Sequence, residues 1–291
     1  VRVHHGLRTQ AIMLRRAKKT KPAKATPGWV AWAVIAGVAL ILCVGLAVGA
    51  MQWMGGGSST SRSAASPAAT THTTAAPNTS NRAQQDAIAN RPMPEGDSTN
   101  MDATNFRPKP EVQATTPDLV LPKSTRTEAG VATGFPKTPE GAVAQLAALN
   151  VATYNNLDVN AGRAAYTAFA MPGAVGLADW NATKMAMRYY ADNPSTDPTR
   201  MRATFTPVQG LIKGSVGDSW TLACVNGQVL YAYNGDSNRI GVWDCARMQW
   251  DDGKKRWMLA PGPNPARAPL TWPRDELSYR AGFRDLQNVP N

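Results

Sequence analysis

The sequence predicts an α+β domain carried behind a single membrane-spanning helix. Three observations point there. A charge-free apolar run occupies residues 29–51. Helical patterning fills residues 138–192, and strand-like patterning with turn signals follows Arg200, ahead of one short C-terminal helix. Helices followed by a meander of strands favour segregated layers, with the helices gathered on one face of a curved antiparallel sheet.

The first 28 residues form a basic tail. Eight cations lie there and no Asp or Glu, out of a net charge of +11 over 291 residues. Arg15, Arg16, Lys18, Lys19, Lys21 and Lys24 flank the apolar run directly. The excess charge therefore belongs to the tail, and the distal domain is not globally basic.

Residues 29–54 read as a transmembrane helix. About 20 apolar residues span a bilayer core as a helix, and the run supplies them. Trp29 and Trp32 stand at one end and Trp53 at the other, where aromatic belts sit. The positive-inside rule places the tail in the cytoplasm and the remainder outside, in the cell membrane as a single-pass protein. A cleaved signal peptide is the alternative, but the apolar run is too long for one, and Ala47-Val48-Gly49 is a weak cleavage site. Cys43, in mid-span, reads as a small apolar residue.

Residues 55–132 read as a disordered linker. Ser, Thr, Ala, Pro and Asn dominate, and large apolar side chains are too few to offset the entropy of folding. As a coil, its reach is roughly 40–50 Å.

The folded domain is expected at 133–273. Thr138 suits an N-cap, Pro139 the first helical position and Glu140 the first turn. That helix should end near residues 155–157. A second covers 161–170 and stops at Met171-Pro172-Gly173; a third covers 177–192. Residues 201–213 then read as a long or bulged strand. Asn226-Gly227 lies between the strand-like runs 219–225 and 228–233, a strong hairpin signal because both turn residues need positive φ. Turns at 235–238 and 251–254 complete the meander. This element order is similar to the cone-shaped domain of nuclear transport factor 2. Residues 261–273 hold too many prolines for a central strand and read as an extended strap. Residues 274–291 read as a short helix, reaching Leu286, and a tail. Leu277, Arg280, Phe283 and Leu286 give it a modest apolar edge, which reads as packing back on the domain, with a partner-binding helix as the alternative.

Few catalytic constellations are available. His4, His5 and His72 all precede the domain, which excludes within it a histidine general base, a histidine-based nucleophile system and the common histidine zinc sites. Asp158, Asp179, Asp218 and Asp244 remain as general bases, and no spacing singles out any of them. Asp251-Asp252 reads as a pair of solvated turn formers. No phosphate loop, dinucleotide fingerprint or calcium loop is present, and no cofactor or metal is expected. Trp220, Tyr231, Tyr233, Trp243, Trp250 and Trp257 with Lys254, Lys255 and Arg256 suggest single-stranded nucleic acid only weakly, because the domain lacks strong positive charge.

Cys224 and Cys245 are the domain's cysteines. An extracytoplasmic compartment favours a disulfide between them; two buried thiols are the alternative. Register counting from a turn at Asn226-Gly227 sets them about two strands, near 10 Å, apart, too far to bridge without a bulge or another strand order.

Thr133-Gly134-Phe135-Pro136 with residues 138–146 (TPEGAVAQL), then Asp244-Cys245-Ala246-Arg247-Met248 with Trp250, and Trp257-Met258-Leu259 with Pro261-Gly262 resemble an actinobacterial family of single-pass envelope proteins encoded with conjugative elements. The architecture is also similar to TcpC and to inner-membrane scaffold subunits of type IV secretion systems. The chain departs from TcpC in having one such domain. The resemblance implies a non-enzymatic scaffold whose partners are the bilayer, other transfer-apparatus subunits and further copies of itself. It implies no catalytic residue. An envelope protein binding a ligand in the cone's pocket is the alternative, and an Asp-dependent enzyme of the cone fold is a third reading.

Overall fold

The computed structural model describes residues 79–96 and 104–290. The basic tail, the expected membrane span with Trp29, Trp32 and Trp53, and residues 55–78 lie outside the described residues. Among the described residues no helix is long and apolar enough to cross a membrane.

The described chain is α+β. A curled six-stranded sheet has the order β1-β8-β4-β5-β6-β7, and a separate small hairpin is made by β2 and β3. The strands are β1 (Leu119–Val120), β2 (Arg126–Glu128), β3 (Val131–Thr133), β4 (Arg202–Val216), β5 (Trp220–Tyr233), β6 (Asp236–Asp251), β7 (Arg256–Leu259) and β8 (Arg284–Gln287). The helices are α1 (Thr79–Asn90), α2 (Pro139–Tyr154), α3 (Val159–Phe169), α4 (Asn181–Asp192) and the short α5 (Glu276–Arg280). All pairs in the main sheet are antiparallel except β1 with β8, which is parallel.

The three helices expected over one face are present. Thr138 caps α2, its side chain accepting from Gly141 N at 3.1 Å. α2 is buried on nearly every side, so its sequence is apolar all round rather than striped. Asp158 caps α3 by accepting from the N–H groups of Asn160 and Ala161. Between α2 and α3 the side chains of Asn155 and Asn156 accept from Phe205 N and Ala203 N. They occupy donors on the edge of β4 away from β5, where β8 does not reach, which blunts an open edge.

The inward face of the sheet carries Phe205, Ala223, Val225, Val229, Val242, Ala246 and Met248 against α2–α4. Bulges in β4 after Pro207 and after Ile212 help the sheet curl around α2.

The opposite face corrects the expected linker. The segment 79–132 is not wholly unstructured: α1 lies on the outer face, where Ala89 joins Trp220, Leu222 and Ala260. Met93 joins Cys224, Cys245, Ala268 and Phe283. A polar helix with two buried residues, Gln85 and Ala89, carries little apolar signal, because charges hold it. Arg247 Nη1 donates to Asp86 Oδ1 at 2.8 Å, with the Arg247 side chain only 2% exposed. The Lys213 ammonium donates to the carbonyls of Ala89 and Arg91 at the end of α1, as a cation at a helix C-terminus should.

The Asn226-Gly227 hairpin is also corrected. Both residues lie inside the continuous strand β5. The turn uses the second Asn-Gly pair instead, Asn234 (φ 54) and Gly235 (φ 94), between the paired Tyr233 and Asp236. Gly227 has a different purpose: a Cβ there would stand 2.5 Å from the Phe205 ring. The glycine makes room for a core aromatic. Moving the turn eight residues along moves the register, and Cys224 then faces Cys245 directly.

The C-terminal expectation changes too. The helix stops at Arg280, and residues 284–287 form β8 between β4 and β1 rather than continuing as helix. Gly282 (φ 94) makes the bend. Leu277, Phe283 and Leu286 are buried against the chain's own domain, as their spacing suggests. The proline-rich strap forms no strand and is tied down where Asn226 Nδ2 donates to Thr271 Oγ1 at 2.9 Å.

Candidate functional site

Cys224 and Cys245 are joined by a disulfide across adjacent strands, Cα atoms 4.0 Å apart, and both are buried. They cross-link β5 to β6 on the outer face, beneath α1 and the strap.

The four aspartates named as general bases are not brought together. Asp158 is a helix cap, Asp218 pairs with Lys137 at 3.3 Å, and the Asp179 carbonyl accepts from Asn264. Asp251 accepts from the N–H groups of Gly253 and Lys254 in the expected turn. The strand aromatics do not share one exposed face. Trp220 and Trp257 are fully buried, and Trp257 Nε1 donates to Pro136 O at 2.9 Å. Tyr231 lies edge-on to Tyr189 of α4. Among the described residues no group of three or more metal-ligating side chains assembles.

Asp244 is different. It points inward from β6, at the position between Val242 and Ala246, and is fully buried. Oδ2 accepts from Trp180 Nε1 at 3.0 Å. Oδ1 has no partner among the described residues. Burial pushes the carboxyl up to about 7, against the opposing pull of Trp180 and Asn181. Tyr154 is raised well above its ordinary value, first by burial and then by the Asp244 charge. The sequence carries the signal, since Val242, Asp244, Ala246 and Met248 alternate onto the core face with one carboxyl among apolar residues. Nothing in the spacing says that the carboxyl is buried rather than at a mouth.

A cavity of about 410 Å³, which Asp244 does not line, opens between α4 and β6. Tyr154, Met185, Ile240, Val242 and Leu270 give it apolar walls, and Phe106 closes one side. Phe106 is held by its own carbonyl, which accepts from Gly241 N. Lys184 and Arg188, one turn apart on α4, complete the lining. The volume falls in the range of small-molecule sites, which combine apolar walls with a few polar groups. Two other clusters on the sheet are structural. Arg256 stacks 4.2 Å from the Phe169 ring centroid, donates to Ala168 O at the end of α3 and pairs with Glu128 of the β2–β3 hairpin. Lys213 is lowered to about 8, chiefly by burial and then by Arg91 and Arg247.

No family model, no curated protein and no solved structure matches the chain.

Proposed function

We propose that the chain is a non-enzymatic, membrane-anchored scaffold subunit of a conjugative DNA-transfer apparatus of the type IV secretion kind. In this reading residues 29–54 anchor it, the basic tail is cytoplasmic and the α+β domain docks other subunits outside. The cone of nuclear transport factor 2 is the proposed finer description of the fold, supported by three helices laid over a curled sheet. The observation that carries the extracytoplasmic placement is the Cys224–Cys245 bond, because such bonds persist in oxidising compartments. The conjugative role rests on the motif resemblance.

The test is crosslinking in the native host, with a photoreactive residue at Leu230, an exposed apolar side chain on β5. Recovery of a coupling ATPase or another transfer subunit is expected. Recovery of none removes the main support for the scaffold role.

A second reading is an envelope protein that binds a small ligand. The apolar-walled cavity between α4 and β6 favours it.

A further inference from the structure

The cavity between α4 and β6 has a chemical polarity that the second reading leaves open. Its walls are apolar, and its charged lining is of one sign. Lys184 is exposed and forms no ion pair among the described residues. Arg188 commits its Nε to Asp192 at 2.7 Å, which leaves its remaining N–H groups for another acceptor. Residues four apart lie on the same helix face, so both cations serve one patch. Asp244 does not line the cavity; it lies behind the wall, engaged with Trp180.

We infer that this cavity binds a small amphiphile, with its apolar body between Tyr154, Met185 and Val242 and a single carboxylate at Lys184 and Arg188. The inference rests on the ligand-binding reading and names its ligand class. A cavity of about 410 Å³ suits a body on the order of a dozen non-hydrogen atoms. The head stays at the solvent edge, where a carboxylate keeps part of its hydration and meets two cations, so it avoids the cost of full burial. A cationic head meets like charge at the same place.

The experiment compares three water-soluble probes of one shape, 4-phenylbutyrate, 4-phenylbutanol and 4-phenylbutylamine, on the purified full chain. Ligand-observed NMR titration reads binding, with protein-free micelles as reference. The acid is expected to bind about tenfold more tightly than the alcohol, and the amine weakest. Lys184→Glu with Arg188→Glu should abolish the preference for the acid over the alcohol. Met185→Trp, which fills the cavity, should weaken acid and alcohol alike. Equal binding of acid and alcohol overturns the inference. So does a preference that survives charge reversal, or no saturable binding by about 10 mM, weaker than any useful site. Crosslinking through Leu230 does not involve this cavity, so failure of the titration and failure of the scaffold reading are separately visible.

Discussion

Replacing Asp244 with Asn should flatten the dependence of stability on pH. The folded carboxyl sits at about 7 against an ordinary 3.8, with burial as the first cause. The folded state therefore holds a proton that the unfolded state releases above about pH 4. Stability from this group is fully present below about pH 4 and is lost as pH rises through about 7. A shift of about three pH units corresponds to about 4 kcal/mol at most across that window, or about 1.4 kcal/mol per unit at its steepest. No histidine of the described residues titrates in it, since His4, His5 and His72 all precede the first described residue; Asp275, also raised by burial, adds a loss of the same sign, so the variant isolates the Asp244 share. Urea unfolding of the full chain, followed by fluorescence from pH 4.5 to 8, measures it. Wild type should lose stability steadily to about pH 7. Asp244→Asn keeps an acceptor for Trp180 Nε1, and should show a much shallower fall and be at least as stable as wild type at pH 8. A wild-type stability that does not fall over this range, or an equal slope in the variant, refutes the reasoning.

Three further outcomes follow from the same structure. Replacing Cys224 and Cys245 together with Ala should lower stability by about 3 kcal/mol on the loop-closure account, given their separation of 21 residues; an equal midpoint in reduced and oxidised wild type would contradict it. Asp86→Ala strands the Arg247 guanidinium, which burial cannot solvate. The cost should be about 2 kcal/mol, below the range for fully buried pairs because Asp86 is itself over a third exposed, and limited proteolysis should open first within α1. Gly227→Ala should destabilise by about 1–3 kcal/mol through overpacking against Phe205, and Phe205→Leu in the same chain should recover part of it.

Much of the inward layer was legible in the sequence. Thr138, Pro139 and Glu140 fix the start of α2 by local chemistry alone, and local chemistry is what a sequence displays. The outer layer was not. α1 has few apolar residues, and its attachment depends on Arg247 and Lys213, more than 120 positions away. The Asn-Gly signal was read as a turn once too often: the turn expected at 235–238 is present at Asn234-Gly235, and the one expected at Asn226-Gly227 is not. Asn226-Gly227 and Asn234-Gly235 carry the same turn chemistry, and what separates them is long-range: Gly227 is packed against the Phe205 ring and the Thr206 carbonyl of the neighbouring strand. That choice also set the register of the cysteines. Asp244 entered the sequence reading only as one of four aspartates that no spacing singled out, and the cavity between α4 and β6 draws on α2, α4, β6, Phe106 and Leu270, which no local pattern brings together.

The attachment of α1 has a mechanical consequence. A pull on the chain preceding α1 would enter the domain through Lys213 on β4 and Arg247 on β6. These strands flank β5, and the Cys224–Cys245 bond stitches β5 to β6. The load thus reaches the long central strands, whose many hydrogen bonds share it. An object towed by that end would resist extension at its toughest point.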